Sequence, residues 1–354
     1  MLISKQSTQM KLYSNVSAFF LIWVLAVFTI FFFGFSNFPH SGKFSANFFE
    51  NLANWDGGHY LGIAQQGYRE KFQYAFFPLY PILIGTVEKI TQNYLLSAIL
   101  VSIAASFLAV QLLYRLILLD FDKKVAEKVI LALLFFPTSF YFLVVYSEGL
   151  FFLLVVATFY FLRQKKIVLS ILFASLASAT RMAGLAVVIA LLLEVALTKG
   201  INRKNYFVLL SPVGLLAYIW YLYNQTGDPL YFITAQYHWQ RVISAPGLAF
   251  WETLRNLNFN AFLDLLFAIF GVGMVFRSFR FLPASYGVYG MVSVLLPLLT
   301  PTLSSMPRFL LTIFPIFILM ALIENKNLFF FYQLISVMLL AAFSILFING
   351  YWVS

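Results

Sequence analysis

Apolar runs of about 17 to 25 residues recur from one end of this chain to the other, and each is long enough to cross a bilayer as an α-helix. Only 10% of the 354 residues are charged and 62% are hydrophobic, against about a quarter charged in soluble domains. So little charge does not cover a soluble surface. The fold class is therefore all-α and integral to the membrane, a polytopic helical bundle.

The first run, 14–35, has a full span's length and no small-residue cleavage site, and reads as an uncleaved helix. Further spans are expected at 94–119, 127–145, 147–163, 167–181, 183–198, 206–223, 259–276, 284–300, 308–323 and 328–349, about eleven in all. The proline-broken segment from Tyr74 to Ile90 is short for a span. Counting it as one would put Lys123, Lys124 and Lys128 outside, so it reads as a half-buried or re-entrant helix on the outer face.

Lys5 and Lys11 precede the first span and set the N-terminus in the cytoplasm by the positive-inside rule. On that orientation the cytoplasmic ends also collect Arg115, Lys123, Lys124, Lys128, Arg163, Lys165, Lys166, Lys199, Arg203, Lys204, Arg277, Arg280 and Lys326. The net charge of +10 is thereby explained by topology, and no nucleic-acid partner is called for. Residues 1–354 read as a single domain with two long outer loops, 36–93 and 224–258; turn signals Gly227-Asp228-Pro229 and Pro246-Gly247 mark the second.

Cysteine is absent, which removes disulfides, thiolate nucleophiles and Cys-bound metals together. Chemistry must come from Asp, Glu, His, Arg or Tyr. The first outer loop carries Asn54-Trp55-Asp56-Gly57-Gly58-His59-Tyr60. Asp56 before two glycines is either turn chemistry or a carboxylate presented at a low-dielectric surface as a general base. His59 would bind a phosphate, orient Asp56 or anchor the interface. Glu148 interrupts a long apolar stretch and marks a hairpin tip or a buried acid. Arg181, between apolar runs, either snorkels to headgroups or binds an anion. Arg308 opens a span, where a cation opposes the helix dipole unless a phosphate or lipid headgroup offsets it. With Asp228, His238 and Arg241 of the second loop, all of these fall on the outer side. No Walker loop, nucleophile elbow or paired-His metal motif occurs. No cofactor is expected, and although Asp56, His59 and Glu148 could hold a divalent metal, nothing in their spacing requires one.

The string Trp55-Asp56-Gly57-Gly58-His59-Tyr60-Leu61-Gly62-Ile63-Ala64, with Phe76-Phe77-Pro78-Leu79-Tyr80-Pro81, resembles the phosphatidylinositol-glycan class V mannosyltransferases. Phe136-Pro137-Thr138-Ser139-Phe140, Tyr146-Ser147-Glu148-Gly149, Ala179-Thr180-Arg181, Gly227-Asp228-Pro229-Leu230 and Pro307-Arg308-Phe309 follow in the same order. The resemblance implies a GT-C membrane glycosyltransferase with Asp56 as the catalytic residue. It assigns His59, Arg181 and Arg308 to the donor phosphate, with Glu148, Trp55 and Tyr80 also at the substrates. It further implies a polyprenyl-phosphate sugar donor, mannose above all, and a lipid-linked or glycan acceptor on the non-cytoplasmic side of a bacterial-type or endoplasmic-reticulum membrane. Two rivals remain: a transporter of lipid-linked sugars, which would show inverted repeats and midplane charges, and a non-catalytic scaffold.

Overall fold

The computed structural model describes residues 2–201, 205–245 and 247–353, the side chains of 2–15 and 199 excepted. Lys5, Lys11, Lys199, Arg203 and Lys204, which helped to set the orientation, and the turn residue Pro246 thus lie outside the described side chains. Among the described residues the chain is helical, without a strand.

Helix α1 (Leu2–Asn37) leads to a loop bearing α2 (Asp56–Gln66) and α3 (Leu79–Thr91). Then come α4 (Tyr94–Ile117), α5 (Lys123–Leu134), α6 (Glu148–Arg163), α7 (Ile167–Ser178), α8 (Gly184–Lys199) and α9 (Val213–Thr226). The second loop holds α10 (Tyr231–Thr234) and α11 (Leu248–Arg255), and α12 (Phe259–Phe281), α13 (Ala284–Leu298), α14 (Met306–Leu310), α15 (Phe314–Ala321) and α16 (Lys326–Ile348) follow.

Among the described residues five stretches of at least 21 residues are long and apolar enough to cross a membrane: 16–37, 94–117, 206–226, 259–281 and 326–348. Twenty-one residues rise about 32 Å, the thickness of the hydrocarbon core. Leu21, Ile22, Leu25 and Phe32 on α1 and Phe330, Phe331 and Met338 on α16 remain exposed, as lipid-facing side chains of a membrane protein must be. Helix α3, where a half-buried helix is expected, has 13 residues and rises about 20 Å, too little to span.

At the centre lies α6, buried on nearly every face. Its approach to α4 depends on Gly149, where a Cβ would collide with Ser106 Oγ and the Ser102 carbonyl. Small residues at such a crossing let membrane helices close without a void.

Besides 206–223, which opens on a 3-10 segment (Tyr206–Leu210) before α9, two expected spans are not continuous helices. Over 127–145 the helix stops at Leu134 and the chain runs on as turns and a short 3-10 segment to Ser147, all buried except Phe135. Pro137 is the cause, since it lacks an N–H and its ring would clash with the carbonyl four residues back. Irregular backbone inside a membrane protein must find partners within the protein. Here Ser106 Oγ donates to Phe142 O at 2.9 Å, Ser102 Oγ to Tyr146 O at 3.2 Å and Ser139 Oγ to Leu134 O at 2.6 Å. The second is 308–323, which divides into α14 and α15 around Thr312 and Ile313, with Pro315 in the first turn of α15. Tyr289 OH donates to the Thr312 carbonyl at 2.8 Å.

Candidate active site

Asp56 opens α2 and is presented by an unusual residue. Trp55, the N-cap, has φ 59° and ψ −120°, backbone angles that cost a non-glycine residue on the order of 1–3 kcal/mol. Gly57 then lets α2 lie against the Val145 carbonyl, 3.1 Å from where a Cβ would stand. The helix start thus rests on the broken segment, and Val145 N donates to Leu52 O at 3.0 Å.

From this position Asp56 Oδ2 accepts from Arg308 Nη1 at 2.7 Å, across 252 positions of sequence. Arg308 Nε also lies 3.7 Å from Glu148 Oε1, and the same oxygen stands 2.5 Å from Arg181 Nη1. Glu148 is wholly buried at the first position of α6, where the positive end of the helix dipole favours an anion. One carboxylate therefore holds two guanidinium groups, and one of those holds the second carboxylate. Arg181 Nη1 also donates to Ser147 Oγ at 3.2 Å, and Ser147 shares a 2.8 Å bond with the Tyr60 hydroxyl. Burial pushes the Tyr60 phenol up to about 12, so it remains a neutral hydroxyl. Arg308 is further flanked by the rings of Tyr141, Tyr146 and Phe309, each within 5.7 Å of its guanidinium carbon.

Of these groups Asp56, Tyr60, Arg181 and Arg308 face a cavity of about 1040 Å³ whose walls also include Arg241 and Trp352. Arg241 is the third arginine. Its Nη2 donates to the Ser304 carbonyl at 2.6 Å and its guanidinium lies over Phe309. Burial, followed by the charge of Arg308, pushes Arg241 down to about 10, which still leaves it cationic at neutral pH. A site lined by three guanidinium groups, with a carboxylate beside one of them, can bind a phosphate and accept a proton from a neighbouring hydroxyl.

The structure brings together Asp56, Glu148, Arg181, Arg241 and Arg308 from five separate parts of the chain. The other expected residues lie elsewhere. Tyr80 is fully buried between α3 and α4, sharing a 2.7 Å bond with Ser102 Oγ; its ring packs against Tyr60, and it is not part of the cavity wall. Asp228 accepts from Leu230 N at 2.9 Å and stabilises the turn at Gly227. His59 sits among Phe72, Phe76 and Trp239, and His238 stacks on Phe72 at 4.4 Å. Burial holds His59 below its ordinary value, partly opposed by Asp56. Trp55 packs against Phe44 and Trp352 behind Asp56.

Sequence reasoning gave no site role to Trp239, Asp264 or Trp352, all of which line the cavity. Asp264 carried a signal, being an acid inside an apolar run; its Oδ1 accepts from Met306 N at 3.1 Å and fixes the start of α14. The two tryptophans carried none in a chain that is 19% aromatic. Among the described residues no three Asp, Glu or His side chains converge as a metal site would require.

Residues 36–199 match the sequence profile of the mannosyltransferase (PIG-V) family. This region holds Asp56, Glu148 and Arg181 but not Arg241 or Arg308. No curated protein sequence matches the chain significantly. Among solved structures, the fold is similar to that of ArnT from Cupriavidus metallidurans bound to undecaprenyl phosphate, with a TM-score of 0.56 at 14% identity over 92% of this chain. The chain spans 64% of the length of that protein. The likeness is one of fold, and it extends over both halves of the present chain.

Proposed function

With a PIG-V mannosyltransferase region set in a GT-C fold, we propose that this membrane protein transfers a hexose, mannose on the family match, from a polyprenyl-phosphate donor to a hydroxyl of a lipid-linked or glycan acceptor. One observation carries the reading: Asp56 and Arg308 are paired at 2.7 Å, and Glu148 ties Arg308 to Arg181, at one cavity. Such a cluster supplies the two things the reaction needs, an acceptor for the hydroxyl proton and cations for the departing phosphate.

In this mechanism Asp56 takes the proton from the acceptor hydroxyl as its oxygen forms the new bond to the anomeric carbon. The bond from that carbon to the phosphate oxygen breaks, and the oxygen leaves with the bonding pair. Arg181, Arg241 and Arg308 hold the charge that develops on the phosphate. Because nucleophile and leaving group lie on opposite sides of the carbon, a single displacement inverts it. Arg308 contacts Asp56 directly, so the same guanidinium that would bind the donor also orients the base. The undecaprenyl phosphate bound by ArnT supports a lipid-phosphate donor here. Nucleotide sugars are cytoplasmic, so a lipid-linked donor agrees with a site on the non-cytoplasmic side, as the distribution of basic residues suggests.

The test is Asp56→Asn in purified protein, supplied with polyprenyl-phosphate mannose and a lipid acceptor. Loss of a general base slows a reaction by about 10²–10⁴-fold, with donor binding retained. Turnover at the native rate would remove Asp56 from the role and the mechanism with it.

A further inference from the structure

The three arginines of the cavity are not held alike. Arg181 and Arg308 are braced by the carboxylates of Glu148 and Asp56. Arg241 is held instead by the turn between α13 and α14 and by the helix that follows it: its Nη2 donates to the Ser304 carbonyl at 2.6 Å, and its guanidinium carbon lies 5.1 Å from the ring centre of Phe309. The place of its charge therefore follows the place of residues 304–309.

That turn is not one the chain adopts unaided. Ser305 has φ 71° and ψ 18°, left-handed angles that cost a non-glycine residue on the order of 1–3 kcal/mol and persist only where the surroundings impose them. One imposing group comes from α12. Asp264 is buried there and lines the same cavity, and its Oδ1 accepts from the N–H of Met306, the residue after Ser305, at 3.1 Å. Met306 N is shared with the Leu303 carbonyl at 3.1 Å, a bond local to the turn, whereas the bond to Asp264 ties the turn to the cavity wall. About two turns further along α12, a Cβ on Gly271 would meet Leu310 Cδ2 at 2.5 Å, so α14 lies directly on α12. An acid buried in an apolar helix is expensive to keep. What it supplies here that an apolar side chain does not is an acceptor for one N–H, at the turn on which Arg241 rests.

We infer that Asp264 is a positioning residue for the donor phosphate: by holding Met306 N it sets the turn before α14, and through the Ser304 carbonyl and Phe309 it sets where Arg241 presents its charge. This rests on the transferase reading above, in which Arg241 holds the phosphate. It goes beyond it by giving a role to a second acid of the cavity, one that acts through another side chain and not as a base. The charge of Asp264 also acts on Arg241, and by itself would repel an anion, so the hydrogen bond and the charge have opposite effects on donor binding.

The test is equilibrium binding of a short-chain polyprenyl phosphate to the full chain, to Asp264→Asn and to Asp264→Leu, each variant also made in an Arg241→Ala background. Both substitutions keep the bulk and remove the charge, but only Asn keeps an acceptor for Met306 N; in the Leu variant that N–H retains its bond to Leu303 O. Asp264→Asn should bind the phosphate at least as tightly as the native chain, and Asp264→Leu about ten-fold more weakly than Asp264→Asn. In the Arg241→Ala background the two should bind alike, because the residue through which Asp264 acts is gone. Equal binding by the Asn and Leu variants with Arg241 present would overturn the inference, as would a gap that persists without Arg241, the mark of a merely structural role. So would weaker binding by Asp264→Asn than by the native chain, a result that does not depend on the Leu variant folding. Native affinity in Arg241→Ala alone would also overturn the inference while leaving a lipid-phosphate donor in place, and a full chain that binds no polyprenyl phosphate would end the donor reading and the inference with it.

Discussion

Replacing Glu148 by Gln removes one charge from the centre of the arginine cluster while leaving its shape. In the native protein its Oε1 lies 2.5 Å from Arg181 and 3.7 Å from Arg308. At an effective dielectric near 20, unit charges at these separations attract by ~7 and ~4 kcal/mol. Desolvation of three buried groups opposes most of this, and removing one partner of a buried pair costs about 3 to 5 kcal/mol net. Gln still offers a carbonyl to Arg181, which favours the lower figure. For 354 residues, with an unfolding entropy of about 2.1 cal/mol/K per residue, ~3 kcal/mol lowers Tm by about 4 °C. Thermal unfolding in detergent, followed by intrinsic fluorescence, reads this directly. The substitution has an opposite effect on ligand: Arg181 no longer shares its charge, so a short-chain polyprenyl phosphate should bind Glu148→Gln at least as tightly as the native protein. Bound phosphate then raises the variant's Tm more than the native one's. A variant with native Tm, or one that is less stable and also binds the phosphate more weakly, would refute the view of Glu148 as counterion to both arginines.

Arg181→Leu should weaken polyprenyl-phosphate binding by about 10- to 100-fold, the worth of one charge-assisted hydrogen bond; a change confined to the acceptor would reassign Arg181. Tyr80→Phe should cost about 1 kcal/mol of stability through the lost bond to Ser102 and leave transfer rates alone, and a fall in rate at equal stability would return Tyr80 to the site. His59 is held below its ordinary 6.5 chiefly by burial, with Asp56 opposing and His238 reinforcing. The unfolded chain therefore binds the proton at higher pH than the folded one. Stability should fall as the pH drops below about 6.5 toward the depressed folded value. His59→Phe should flatten that slope in unfolding measured across pH, and a slope identical to the native one would show that another group is responsible.

Asp56, Glu148, Arg181 and Arg308 were legible in the sequence because charge is scarce in it, and a charge between apolar runs must be buried, paired or at an interface. Their grouping was legible only through the orientation of the helices. What sequence could not show is where a helix gives way inside the bundle. An apolar run from Val129 to Val145 has the periodicity of a span, and Pro137 is tolerated in many membrane helices because neighbours re-satisfy the backbone. Whether the chain kinks or abandons the helix depends on those neighbours. Here Ser102 and Ser106 of α4 offer hydroxyls to the Tyr146 and Phe142 carbonyls, and no local pattern records such a pairing. The buried position of Tyr80 was hidden for a related reason: its hydroxyl is satisfied by the same Ser102.

The helix break and the charge cluster are one device. An unbroken helix across 127–163 would place Glu148 mid-helix, with its carboxylate unsupported in an apolar surround at a cost of several kcal/mol. By abandoning the helix at Leu134 and starting it again at Glu148, the chain puts that carboxylate at a helix N-terminus, where the backbone dipole favours it. The intervening segment does more than fill space. Thr138 Oγ1 donates to the Pro307 carbonyl at 2.9 Å, beside Arg308, and Val145 N bonds to Leu52 near Asp56. The same thirteen residues between α5 and α6 thus touch the elements that carry the base and one of the arginines, and deliver the acid that pairs with both arginines. A cluster assembled from distant positions stays in register because a single irregular segment, satisfied internally, braces each of its parts.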